Sequence, residues 1–79
     1  MDDKSTSKYY KDEDLLKQIG VKIRFERTQK NISQESLANE CGIDYSQVNR
    51  MELGKVNFSI SNLFRIAAAL EIDARSLLP

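Results

Sequence analysis

Histidine is absent from the 79 residues, and Cys41 is the only cysteine. Such a chain closes no internal disulfide and assembles no cysteine–histidine metal cluster. It also lacks the side chain that most often serves as a general base near neutral pH. There is no glycine-rich phosphate loop and no nucleophile motif, and the scattered carboxylates read as helix caps and solvated faces. Enzymatic chemistry is excluded on inventory, so no catalytic residue, metal or cofactor is expected. No apolar run approaches the roughly 18 residues that span a bilayer. The polar, acidic opening MDDKSTSKYYKDED is unlike a secretory signal, and the expected location is the cytoplasm. Alternating strand-like runs and internal repeats are also missing. A single small domain of this kind must build its core from packing alone, helped by dimerisation.

Net charge is equally spare, with 12 basic and 12 acidic residues. The balance hides an asymmetry. Residues 1–14 hold Asp2, Asp3, Asp12, Glu13 and Asp14 against Lys4, Lys8 and Lys11, a net of −2, which leaves +2 for the rest. That mild excess predicts weak non-specific affinity for nucleic acid, since local placement outweighs the sum.

What is present is helical periodicity. Residues 1–13 lack it and read as a flexible polar arm whose only large apolar groups are Tyr9 and Tyr10. That arm is either a disordered tail or a segment that packs on the body or on a partner. From Asp14 onward, Leu16, Ile19, Gly20, Ile23 and Arg27 share one face of a first helix. Asn31 tolerates the left-handed conformation that would stop it near Lys30. Ser33 caps a second helix, Gln34 to Glu40, with Leu37 and Ala38 inward, and Gly42 breaks it. Asp44 caps a third, Tyr45 to about Leu53, with Val48 and Met51 inward, and Gly54 stops it. A fourth begins at Ser59 or Ser61 and buries Leu63, Ile66, Ala67 and Leu70. A short fifth follows Asp73 and carries Leu77 and Leu78. The only proline is the terminal Pro79. The fold class is all-α: a compact bundle of four to five short helices around one core, over residues 14–79.

The informative segment runs from Ser33 to Lys55, SQESLANECGIDYSQVNRMELGK. Two short helices flank a tight turn. Gly42 accepts positive φ there, the small Ala38 lets the helices approach, and Ile43 and Val48 plug the space between them. In a helix-turn-helix the second of the two helices lies in the DNA major groove. Periodicity leaves Tyr45, Ser46, Gln47, Asn49 and Arg50 outward or flanking. Arginine can pair bidentately with guanine, and glutamine or asparagine with adenine, so these five form the candidate base-reading surface. Ser46 and Arg50 lead it, while Tyr45 can instead stack on a sugar or a thymine methyl or reach a phosphate. Lys22, Arg24 and Lys30 on the first helix are solvated or meet phosphate.

The chain resembles the Cro/CI-type (xenobiotic-response-element) helix-turn-helix family of phage repressors and bacterial regulators, over roughly Ile19 to Leu77. The likeness rests jointly on SQESLA, CGI, VNRMELGK and SNLFRIAAALEID. Phe58 stands where the family usually has proline, Glu26 where it has an aliphatic residue, and Glu71 where it has glycine. Phe25 is apolar where a polar residue is common. The resemblance implies a lambda-repressor-like DNA-binding domain. It implies phosphate contacts from Gln34, from the Leu53 and Gly54 amides, from Lys55 and from Asn57. It also implies an Arg27–Glu52 ion pair bridging the first and third helices, and a core role for Cys41. The expected function is a sequence-specific DNA-binding transcriptional regulator, more often a repressor, acting in the nucleoid as a homodimer on an operator of two-fold character. The dimer is expected from the last two helices, with Phe64, Ala68, Leu77 and Leu78. No small-molecule ligand is evident. The NxSxxNL wording from Asn57 to Leu63 also resembles the controller proteins of restriction–modification systems. An antitoxin of the same fold, or a helical protein-interaction module without DNA binding, are the other readings.

Overall fold

The computed structural model describes residues 12–79, and the arm tyrosines Tyr9 and Tyr10 lie outside them. The first helix, α1, runs Glu13–Gln29, one residue earlier than periodicity suggests. Asp12 is the reason: its carboxylate accepts from the Leu15 amide at 3.0 Å and caps the helix. Three more α-helices follow: α2 (Gln34–Cys41), α3 (Tyr45–Glu52) and α4 (Ile60–Leu70). The fifth element is a 3₁₀ turn, Ala74–Leu77, which leaves Leu78 beyond its end. Ser33 and Ser59 cap α2 and α4 through their hydroxyls, which selects Ser59 over Ser61. Asp44 holds the cap position of α3 without a side-chain capping bond.

All four α-helices among the described residues close in the same way. A left-handed residue follows each one: Asn31, Gly42, Gly54 and Glu71. The next amide then reaches back across the last turn, as in Ile32 to Arg27, Ile43 to Ala38, Lys55 to Arg50 and Ile72 to Ala67. This pairing satisfies carbonyls that a helix end would otherwise leave open. After three of the four caps the reaching residue is an isoleucine, Ile32, Ile43 or Ile72, packed on the core. After α3 it is the exposed Lys55.

The core joins Ile19 and Ile23 of α1, Leu37, Ala38 and Cys41 of α2, Val48 and Met51 of α3, and Leu63, Ile66, Ala67 and Leu70 of α4. Leu77 is also fully buried in it, which removes this residue from the expected dimer surface. The short 3₁₀ turn swings Leu77 inward and leaves Leu78 exposed. Two glycines let α1 touch the end of α3 backbone to backbone. A Cβ on Gly20 would lie 2.5 Å from the carbonyl oxygens of Met51 and Glu52, and one on Gly54 would lie 2.7 Å from Lys17 Cα. Among the described residues, no helix is long and apolar enough to cross a membrane.

Candidate nucleic-acid interface

The third helix divides into two faces. Val48, Met51 and Glu52 are buried, while Tyr45, Ser46, Gln47 and Arg50 are exposed and Asn49 is half-buried. An eight-residue helix is too short to hold its own shape in water, so its orientation depends on what its inner face grips.

The grip is electrostatic as well as apolar. Arg27 Nε donates to Glu52 Oε2 at 2.6 Å and Nη2 donates to Oε1 at 3.0 Å. Arg27 Nη1 donates to the Ile32 carbonyl at 2.8 Å, so the guanidinium also pins the turn between α1 and α2. The side chains are 11% and 1% exposed, Arg27 and Glu52 respectively, which makes this a buried and nearly fully bonded pair. The Glu52 carboxylate holds the Arg27 pKa above its ordinary value, against the opposing effect of burial.

Gln34 adds a third element. Its Nε2 donates to Glu52 Oε1 at 2.9 Å and to Asn49 Oδ1 at 3.4 Å. The side chain that the family resemblance assigns to phosphate therefore has its donors engaged inside the protein. The start of α2, the end of α1 and the start of α3 meet around one shallow depression lined by Arg24, Arg27, Ser33, Gln34, Glu35, Tyr45 and Asn49.

The amides expected to grip phosphate after α3 are likewise engaged within the protein. The Leu53 amide donates to the Asn49 carbonyl and the buried Gly54 amide to the Met51 carbonyl, each at 3.1 Å. Both close the helix, which also ends at Glu52 with Leu53 as its cap rather than a member. What remains outward in that loop is side chain: Lys55 and Asn57 are exposed. Arg24 on α1 and Lys30 at its C-cap are exposed, whereas Lys22 Nζ donates to the Leu78 carbonyl at 3.0 Å and ties down the C-terminal segment.

Cys41 packs in the core, and burial, reinforced by Glu40, pushes its thiol pKa upward and disfavours the reactive thiolate. Among the described residues no group of histidine, cysteine and carboxylate side chains could hold a metal ion.

A separate surface is apolar. Ile60 and Phe64 of α4 are 73% and 60% exposed, and Leu78 is 42% exposed. With Ala67, Ala68 and Ile72 they line a groove between α4 and the 3₁₀ turn. The sequence placed Phe64 and Ala68 on such a surface but missed Ile60, which precedes the periodic run of α4.

Residues 23–77 match the model of the HTH_3 helix-turn-helix family. The chain is similar to a hypothetical transcription factor of Neisseria meningitidis serogroup B, 37% identical over 67 residues, which are 85% of this chain and 63% of that protein. It therefore spans under two thirds of that relative's length. It is similar to the control protein C.BamHI of Bacillus amyloliquefaciens, 38% identical over 61 residues, 76% of this chain and 75% of that one. Among solved structures, the restriction-modification controller protein C.AhdI of Aeromonas hydrophila superposes with a TM-score of 0.78 at 41% identity, over 80% of this chain and 96% of that chain.

Proposed function

The chain belongs to this helix-turn-helix family, and on that premise we propose that it is a sequence-specific DNA-binding transcriptional regulator. The observation that carries the reading is the division of α3. One face is locked to α1 by Arg27, Glu52 and the glycine contacts, and the other presents Tyr45, Ser46, Gln47 and Arg50 to solvent. A rigid helix with a polar, unengaged face is what the major groove admits.

In this reading α3 lies in the groove, Arg50 pairs with a guanine, and Ser46 and Gln47 meet neighbouring base edges. Lys55 and Asn57 hold the backbone beside it, with Arg24 on the flank, and phosphate contacts fix the register. Lys55 has support of its own. It occupies the one helix-closing position of four that is not a core isoleucine. Two copies join through Ile60, Phe64, Ala68 and Leu78, and their recognition helices meet half-sites roughly 10 base pairs apart. The protein acts in the cytoplasm on nucleoid DNA by occupying a promoter, repressing where it blocks polymerase.

The test is selection of bound duplexes from a random pool, followed by titration of the selected site at several salt concentrations. A two-fold site and an affinity that falls steeply with salt are expected, because phosphate contacts release counterions. No duplex binding at low salt would leave the fold as a protein-interaction module. The similarity to two controller proteins favours a narrower second reading, a control protein of a restriction–modification system. That reading requires the selected site to lie before genes for an endonuclease and its methyltransferase.

A further inference from the structure

Gln34 and Asn49 form a relay whose donor–acceptor polarity is set at its buried end. Glu52 is an ionised carboxylate paired with Arg27 and can only accept. The end of Gln34 that faces it at 2.9 Å must therefore be the amide nitrogen. That same nitrogen faces Asn49 at 3.4 Å, so the end of Asn49 turned inward must be its oxygen. What Asn49 turns outward is then its amide nitrogen, with two hydrogens and no acceptor. Gln34, in turn, has both hydrogens directed inward and keeps only its oxygen free.

We propose that the Glu52–Gln34 relay holds Asn49 as a donor-only reader, so that the base pair it meets is selected for guanine rather than for the adenine that asparagine usually reads. This inference rests on the DNA-binding function proposed above. Adenine offers N7 as acceptor and N6 as donor, and its bidentate partner must both give and take. Guanine offers two acceptors, N7 and O6, side by side. An asparagine whose oxygen is turned inward toward Gln34 matches the second edge and not the first. Cytosine, which offers only a donor at N4, is disfavoured. Gln34 is a positioning residue in this scheme, and by the same polarity its outward oxygen repels phosphate instead of binding it.

The experiment is duplex selection with the full chain and three variants, with each variant's melting curve recorded. Asn49→Ala locates the base pair concerned, as the one whose preference collapses. At that pair the natural protein should favour guanine over adenine by roughly tenfold. Gln34→Ala releases the Asn49 oxygen and should move the preference at that pair, and no other, toward adenine. A general loss of stability would lower affinity for all sites without this single change. Asn49→Asp, which keeps the bond from Gln34 and presents an acceptor, should turn the preference to cytosine and serves if Gln34→Ala fails to fold. Adenine preferred by the natural protein at that pair would overturn the inference. So would an Asn49→Ala profile identical to the natural one, or a guanine preference that persists in Asn49→Asp. In each of these cases duplex binding itself, and hence the proposed function, stands. Absence of any duplex binding by the natural protein overturns both.

Discussion

Glu52→Ala should be the most damaging single truncation on the surface between α1 and α3. The Glu52 carboxylate accepts from Arg27 Nε, Arg27 Nη2 and Gln34 Nε2, and its side chain is 1% exposed. Removing it strands the guanidinium in a site where only the Ile32 carbonyl still accepts from it. Breaking a buried pair from one side costs about 3–5 kcal/mol. A domain of this size holds about 3–10 kcal/mol in total. The variant should therefore melt at least about 10 °C lower, and at the upper end of the loss it should be largely unfolded at room temperature. The assay is thermal and urea unfolding followed by circular dichroism. Arg27→Met combined with Glu52→Leu should recover most of the loss, because apolar replacements leave no uncompensated charge. A Glu52→Ala protein that melts within a few degrees of the natural one would refute the reasoning, as would a double variant no better than the single.

Four further outcomes are expected. Glu71 sits at φ 59 as the left-handed cap of α4, so Glu71→Gly should stabilise the protein by about 0.5–1 kcal/mol in the same melts. Asp73 is held down to about 2, first by the side-chain hydrogen bond from Arg75 and then by the Arg75 amide. Its folded value lies below the unfolded one of about 3.9, so its contribution is full above that value and fades as pH falls through about 2. A carboxyl titration by nuclear magnetic resonance checks this, and high salt should raise the midpoint, since the ion pair is solvent-exposed. Arg50→Ala should cost about 1–3 kcal/mol and relax preference at one base pair per half-site. Lys55→Ala should weaken all sequences alike and reduce the salt slope by about one unit per half-site. Titrations against the selected site and its single-base variants separate the two.

Much of the fold was legible because its signals are local. Apolar spacing places Ile19, Ile23, Leu37, Val48, Met51 and Leu70 in the core, and serine caps mark the starts of α2 and α4. Where the reading slipped, several residues offered the same chemistry or a tertiary contact decided. KDED supplies two aspartates able to cap α1, Asp12 and Asp14, and the structure uses Asp12. Leu77 and Leu78 are identical in character, and the pitch of a single 3₁₀ turn buries the first and exposes the second. Glu71 carries no sign of a left-handed backbone, apart from standing where the family resemblance has glycine. In the site, the exposed face of α3 followed from periodicity. The inward commitment of Gln34 did not, because it depends on Glu52, 18 positions away in sequence. The internal bonds of the Leu53 and Gly54 amides are equally hidden, because they depend on which carbonyls the end of α3 leaves to be satisfied.

The shortness of α3 has a consequence for how such a protein can be turned off. At eight residues it is about 12 Å long and has no independent existence as a helix. Its reading face is assembled only while the Arg27–Glu52 clamp and the Gly20 contact hold α1 against it. A partly opened molecule, with α1 detached, would keep every side chain proposed to read bases and lose the helix that presents them. On the proposed DNA-binding function, occupancy of a site would be coupled directly to the folded fraction of a small domain. The same coupling makes bound DNA a ligand that protects the fold, so the population most exposed to degradation is the one not seated on its site.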